Sequence, residues 1–247
     1  MNKYIALVLA VMTVSLNTTS SAKMFDTPSK TSTANTNNSH LASTDNVHCE
    51  IDRTAADKNG DTKLVTFAKN LPELCKKKYP EIKGLLVQDA YQAPNNIQIV
   101  FENGEGFAHT VGNKITLFIP YFQEHSDDYG AVVHEMAHVA QNYQKSVPGW
   151  LVEGIADYIR FRMGYSDSSK LSCRNNLHYS SSVYSCAPAF VNYIEKTNNG
   201  VIAKLNAALK QEGYKDELFS KYTGKTVEQL WQECRKKDCQ GGAQKAP

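Results

Sequence analysis

The chain of 247 residues carries 27 basic and 25 acidic side chains, for a formal net charge of +2. A charge this close to neutral argues against a nucleic-acid-binding protein and against a protein held at membranes by basic patches. The length is more than one small domain needs, so the first question is which part of the chain can build a core.

The N-terminal part of the chain does not have the composition of a folded domain. Lys3 is followed by an apolar run over residues 4–12 and by small residues that end at Ala22, which is typical of a signal peptide. The apolar run is too short to cross a membrane. We therefore predict a signal peptide over residues 1–22 and a secreted or periplasmic mature protein. Residues 23–47 are rich in Ser, Thr and Asn, which predicts a disordered leader.

The remaining length suits one domain, which we place over residues 48–239, followed by a flexible tail over residues 240–247. All six cysteines lie within this domain, and an even number in an exported chain indicates disulfide bonds. Six cysteines can pair in many ways. Pairing between neighbours along the chain would give Cys49–Cys75, Cys173–Cys186 and Cys234–Cys239.

Hydrophobic periodicity predicts strands in the first half of the domain and helices in the second. An amphipathic helix is expected over residues 61–78, and strands are expected over residues 97–101, 107–110 and 115–119. Ser126 is a candidate N-cap for the next helix. Further helices are expected over residues 150–163, 188–195, 201–210, 216–222 and 227–235. This order predicts an α+β fold with a small N-terminal sheet and a mostly helical C-terminal half.

The helix between the two halves contains the sequence His134-Glu135-Met136-Ala137-His138. His134 and His138 are four residues apart, so both imidazoles face one side of the helix and can share a metal ion. Glu135 lies beside them, where it can take a proton from a metal-activated water. The apolar flanks indicate a buried helix, in which two histidines and a glutamate would be costly without a partner. The pattern therefore favours a zinc peptidase site over two solvated histidines.

A catalytic zinc site needs a third protein ligand, and the segment after Pro148-Gly149 offers one. Glu153 and Asp157 are four residues apart and share one face of a predicted helix. We assign Glu153 as the third ligand and Asp157 as the acceptor that holds a ligand histidine by its other ring N–H. Exchanged roles, or a plain solvated acidic face, remain alternatives. Gly154 lowers helix propensity, which would be offset if another backbone approaches closely there.

Residues 132–141 and 151–158 resemble the basic secretory protein family of plants and bacteria, a family of zinc peptidases. The likeness extends to residues 111–117, to Tyr184 with Phe190-Val191-Asn192-Tyr193, and to residues 224–231, and it covers about residues 96–231 in all. Residues 166–182 depart from the family pattern, which leaves the substrate-facing wall unassigned. The resemblance implies a zincin-like fold, with the His-Glu-x-x-His helix between the sheet and the helical half. It also implies that Glu153 ligates zinc, as in gluzincins.

Motif and resemblance together predict a secreted zinc-dependent peptidase that binds one Zn²⁺ per chain and hydrolyses peptide bonds. Glu135 would be the general base. Tyr184 matches a tyrosine of the family pattern and is the predicted second donor to the oxyanion, with His178 and Tyr165 as alternatives. Substrate could add as an extra strand along residues 115–119, at an edge that ends in Pro120.

The alternative function is a secreted non-catalytic binding or structural protein that retains the zincin fold and the zinc site. The intact Glu135 argues against this alternative, because a binding protein does not need that base. For either function we expect a monomer with no membrane span and no nucleic-acid partner.

Overall fold

A computed structural model describes residues 47–87, 92–166, 171–173, 177–237 and 239. The predicted signal peptide, the predicted tail and the predicted leader apart from Val47 lie outside these residues. The strands are β1 (His48–Asp52), β2 (Asn96–Glu102), β3 (Ala108–Val111) and β4 (Lys114–Phe118). The helices are α1 (Thr54–Asn59), α2 (Thr62–Leu86), α3 (Ile119–Glu124), α4 (Tyr129–Gln141), α5 (Gly149–Arg162), α6 (Cys186–Thr197), α7 (Val201–Glu212), α8 (Glu217–Thr223) and α9 (Val227–Lys237). This order confirms the predicted α+β class.

The four strands form one mixed sheet in the order β1-β2-β4-β3. β2 pairs in parallel with both β1 and β4, whereas β3 pairs antiparallel with β4. The strand predicted over residues 115–119 is therefore inside the sheet, and the expectation that it offers a free edge is wrong. Three consecutive residues of β4, Ile115 to Leu117, are buried, as expected for an inner strand. Pro120 lies in the first turn of α3, where its missing N–H costs no helix hydrogen bond.

Three elements were not predicted, and α2 extends well beyond its predicted C-terminal end. β1, α1 and α3 are short segments, and the disulfide Cys49–Cys75 ties β1 to α2. α2 runs through Pro80 to Leu86, beyond the predicted end at residue 78, because Tyr79, Ile82 and Leu86 continue its buried face. Tertiary burial thus outweighs the local cost of a proline within the helix.

One hydrophobic core joins residues of the sheet, of α2 and of the helices of the second half. α4 contacts α2, β3 and α5, and α5 in turn contacts α6. Gly154 permits the close contact between α5 and α6, because a Cβ at this position would lie 3.1 Å from the Cβ of Ala187. The close approach at Gly154 is therefore to α6 and not to the helix that carries the histidines.

All three disulfides join neighbouring cysteines, and the pairing Cys49–Cys75, Cys173–Cys186 and Cys234–Cys239 is confirmed. Disulfides are typical of extracellular and periplasmic proteins. In the described part of the chain, no helix is both long enough and apolar enough to span a membrane.

Candidate metal centre

The N-terminus of α4 is fixed by Asp128 rather than by Ser126, the predicted cap. The Asp128 carboxylate accepts a hydrogen bond from a backbone N–H in the first turn of α4, over 3.0 Å. It also accepts from Arg160 on α5 and from the hydroxyl of Tyr121 on α3, each over 2.8 Å. These contacts orient α4 against α3 and α5 independently of the candidate metal-binding side chains.

Three potential ligand atoms converge between α4 and α5. The Nε2 atoms of His134 and His138 lie 3.0 Å apart. Oε2 of Glu153 lies 3.1 Å from Nε2 of His134 and 3.6 Å from Nε2 of His138. Nitrogen and oxygen ligands about 2.0–2.1 Å from a tetrahedral zinc ion are separated by roughly 3.3 Å. The spacing of these three atoms therefore fits a zinc ion, and this trio is the metal-capable group among the described residues.

The other ring nitrogen of each histidine faces an acceptor. Nδ1 of His134 donates to Oδ1 of Asp157 over 2.8 Å, and Nδ1 of His138 donates to Oε1 of Gln141 over 2.7 Å. With both Nδ1 protons donated outward, neutral rings present their Nε2 lone pairs to each other and to the Glu153 carboxylate. Converging lone pairs repel one another unless a cation lies among them, so the donor set suits a metal ion.

The electrostatics of the cluster also favour a cation at His134. Burial would lower the pKa of His134, but hydrogen bonds to Asp157 and Glu153 outweigh it and raise the pKa to about 10. Burial would likewise raise the pKa of Glu153, and the contacts with His134 and His138 reverse this and lower it. The cluster thus stabilises positive charge at His134, whether a proton or a metal ion carries it.

Glu135 is buried beside the histidines and contacts the edge of the sheet. Its side chain is 3% exposed, and its Oε2 accepts a hydrogen bond from the Thr110 hydroxyl over 2.6 Å. Thr110 lies on β3, so this bond fixes the Glu135 carboxylate relative to the edge strand. Sequence reasoning missed Thr110, since nothing in the local sequence marks it as a partner of Glu135.

Gln141 was also missed as a site residue. It lies three residues after His138 on α4, and this spacing brings the two side chains together on one helix face. Its side-chain amide additionally donates to the carbonyl oxygen of Val152 on α5 over 2.8 Å. The spacing from His138 was the only signal in the sequence, and it does not reveal the second contact.

Tyr184 lies near the site carboxylates, on the segment that leads into α6. Burial raises the pKa of the Tyr184 hydroxyl to about 12, and the negative charges of Glu153, Asp157 and Glu135 contribute in the same direction. The hydroxyl is therefore within electrostatic reach of the whole cluster. Tyr184 as a residue is 61% exposed, which leaves it accessible from solution.

The two alternatives to Tyr184 have contacts elsewhere. The His178 imidazole accepts from or donates to the Ser180 hydroxyl over 2.7 Å, and its ring packs against Tyr179 and Trp231. Tyr165 packs against the core, and its Cβ lies close to Gly130 near the start of α4.

A likeness to a solved zinc metallopeptidase supports a zincin-like fold. The chain is similar to a variant of a two-domain M1 zinc metallopeptidase bound to L-tryptophan, with 11% identity and a TM-score of 0.50. It is also similar to a variant of an M1 zinc metallopeptidase from Deinococcus radiodurans bound to a Tyr-Ser-Ala substrate, with 13% identity and a TM-score of 0.49. Each match covers 70% of this chain and 44% of the other, so the chain spans less than half the length of these enzymes. At such identities the likeness concerns the fold alone.

The family is shown by sequence. A family model described as "Peptidase of plants and bacteria" matches residues 44–234, and the chain belongs to that family. The resemblance to the basic secretory protein family is thereby confirmed. No curated protein matches the chain.

Proposed function

We propose that this protein is a secreted zinc-dependent peptidase, whose mature domain spans residues 48–239. The observation that carries the proposal is the convergence of His134 Nε2, His138 Nε2 and Glu153 Oε2 at separations of 3.0–3.6 Å. Glu135 lies on the same helix as the two histidines. Family membership and the zincin-like fold support the proposal, and three disulfides support export.

The contacts support Glu153 as the third ligand and Asp157 as the residue that orients His134. Glu153 lies against the Nε2 atoms of both histidines, whereas Asp157 contacts Nδ1 on the opposite side of the His134 ring. A single metal ion bound to both Nε2 atoms would be reached by Glu153. The exchanged assignment would require His134 to turn its ring and give up the 2.8 Å bond that Asp157 accepts.

In the proposed mechanism, zinc held by His134, His138 and Glu153 would act as a Lewis acid that lowers the pKa of water and polarises the scissile carbonyl. Glu135 takes a proton from the attacking water as its oxygen bonds to the carbonyl carbon. Thr110 holds the Glu135 carboxylate in place through its hydroxyl. When the C–N bond breaks, Glu135 returns the proton to the leaving amine. The Tyr184 hydroxyl, whose pKa is raised to about 12 and which is protonated at neutral pH, donates to the oxyanion.

A peptide substrate would pair with β3, the edge strand of the sheet, and not with β4. β3 contacts α4 and carries Thr110, which is bonded to Glu135. A peptide that extends the sheet at β3 would therefore run past the Glu135 carboxylate, with main-chain hydrogen bonds that do not depend on its sequence. This arrangement predicts action on extended or unfolded polypeptides.

The competing function is a binding or structural protein that keeps the zinc site without turnover. A zinc site used only for stability usually has four protein ligands. Among the described residues, the metal-capable group has three members, which leaves a coordination position for water. Glu135, a buried carboxylate that is not one of those three, has a direct role in hydrolysis and none in metal retention.

The proposal is tested with the disulfide-bonded mature chain and a reduced, unfolded polypeptide as substrate. We expect hydrolysis that stops when a chelator removes the metal and returns when zinc is added. Glu135→Gln should keep its zinc and lose about 10²–10⁴-fold in rate, because glutamine preserves the shape and removes the base. Glu124→Gln, at an exposed carboxylate, is the control. Hydrolysis by Glu135→Gln at the wild-type rate would exclude Glu135 as the base. Zinc binding without hydrolysis by the wild type would favour the binding protein.

A further inference from the structure

We infer that Gln141 is a positioning residue that holds His138 in the tautomer able to bind the metal and fixes it relative to Glu153. This inference rests on the proposed zinc site. Gln141 is the last residue of α4 and is 1% exposed. Its two contacts, to His138 and to Val152, use both ends of the side-chain amide.

The orientation of the Gln141 amide follows from which of its neighbours can donate and which can only accept a hydrogen bond. The Val152 carbonyl is an acceptor only, so the NH₂ end of the amide must face it, over 2.8 Å. The carbonyl end, Oε1, then faces Nδ1 of His138 over 2.7 Å and can only accept. His138 must therefore carry its proton on Nδ1 and present the lone pair of Nε2 to the metal. A backbone group on α5 in this way selects the tautomer of a histidine on α4.

The two histidines are oriented by chemically different partners. A carboxylate at position 141 could still accept from His138, but its second oxygen would face the Val152 carbonyl and repel it. It would also add a fourth negative charge to Glu135, Glu153 and Asp157. The neutral amide satisfies both contacts without additional charge, which explains why this position carries glutamine and not a second aspartate or glutamate.

Gln141 also helps to set the distance between His138 and Glu153. Val152 immediately precedes Glu153 on α5, so the amide ties the backbone beside the third ligand to the second histidine. The separation of His138 Nε2 and Glu153 Oε2, 3.6 Å, is the longest of the three ligand–ligand distances. Without the amide, both the His138 ring and this part of α5 lose the contact that sets their relative position.

The rival explanation is that Gln141 is an ordinary buried amide that only stabilises the fold. Asn206 on α7 offers a matched control for that explanation. It is also 1% exposed, accepts from the Tyr143 hydroxyl over 2.8 Å and donates to the Leu86 carbonyl over 2.7 Å. Neither of its partners is a candidate metal ligand. Replacing Asn206 therefore removes a similar pair of buried hydrogen bonds without removing a partner of a candidate metal ligand.

The experiment compares zinc affinity, by chelator competition, with the unfolding of the metal-free proteins in urea. We expect Gln141→Met to weaken zinc binding about 10–100-fold, the range for lost partners of ligand histidines. Asn206→Leu should lose a comparable amount of stability and keep wild-type zinc affinity. With Co²⁺ in place of zinc, Gln141→Met should change the visible absorption bands and Asn206→Leu should not. Gln141→Ala takes its place if the methionine variant does not fold.

Wild-type zinc affinity in the Gln141 variants, or equal weakening in the Asn206 variant, would overturn the inference and leave the zinc site intact. Absence of zinc binding by the wild type would instead overturn the proposed function, and the inference with it. The two failures are therefore distinguishable from the same set of titrations.

Discussion

The two walls of the candidate site are built in opposite ways. The wall formed by α4 and α5 contains partly buried polar contacts along its length, namely Asp128–Arg160, His134–Asp157, His138–Glu153 and Gln141–Val152. The wall formed by β3 and the segment before α6 contributes the Thr110 hydroxyl and the largely exposed Tyr184. A metal ion requires ligands held at fixed distances, whereas a polymeric substrate requires an open edge. The comparison predicts that changes in the helix wall alter metal binding, and that changes in the sheet wall alter turnover alone.

The largest effect is expected in the helix wall, where Glu153 and Asp157 should differ in kind. Glu153→Ala removes the proposed third ligand atom and should leave the site without tightly bound zinc. Asp157→Asn keeps an acceptor near His134 but loses the charge, so zinc affinity should fall about 10–100-fold. Zinc titration of both variants measures the difference.

The control for these variants is Glu195→Ala. Glu195 accepts hydrogen bonds from the backbone N–H groups of Gly200 and Ile202, so its loss should lower stability and leave zinc affinity unchanged. If Asp157→Asn emptied the site and Glu153→Ala only loosened it, the assigned ligand roles would be exchanged.

In the sheet wall, Tyr184→Phe should lower kcat about 10²-fold, the cost of removing one oxyanion donor, with zinc content unchanged. KM should change little, because in the proposed role the hydroxyl stabilises charge that develops in the transition state. Steady-state kinetics and metal analysis check both parts. Tyr214→Phe, which removes a hydroxyl bonded to Asp216, is the control. A wild-type kcat for Tyr184→Phe would return the oxyanion role to His178 or Tyr165.

The helix wall was largely predictable from the sequence because its information is local. Helical spacing placed His134 with His138 on one face and Glu153 with Asp157 on another, and the predicted Asp157–histidine contact is present. The contact of Gln141 with Val152 was not predictable, since it depends on how two helices pack. Neither spacing nor composition determines which side-chain atoms meet across such an interface.

The sheet wall was predicted less well because strand order is a long-range property. The three strands of residues 97–118 were located correctly, but their order was not, and β4 was taken for the edge. β1 was missed altogether, and its parallel pairing with β2 is what makes the sheet four strands wide. Thr110 became a candidate site residue only when β3 was found at the edge beside α4. Residue type and periodicity do not show which strand lies at the edge of a sheet.

The smallest of the predicted effects is expected at Thr110, where the sheet wall contacts the helix wall. Thr110→Val keeps the shape of the side chain and removes the hydroxyl that donates to Glu135 over 2.6 Å. A hydrogen bond to a charged group contributes about 1.5–3 kcal/mol. Since Glu135 keeps its other surroundings, we expect a loss in kcat near the lower end of that range, about tenfold. KM and zinc content should stay at wild-type values, because the β3 backbone and the three ligands are untouched.

Thr110→Ser retains the hydroxyl and should restore most of the rate. If the serine variant were as slow as the valine variant, the lost methyl contact and not the hydrogen bond would explain the defect. If both were as fast as wild type, β3 would serve Glu135 only as a packing surface.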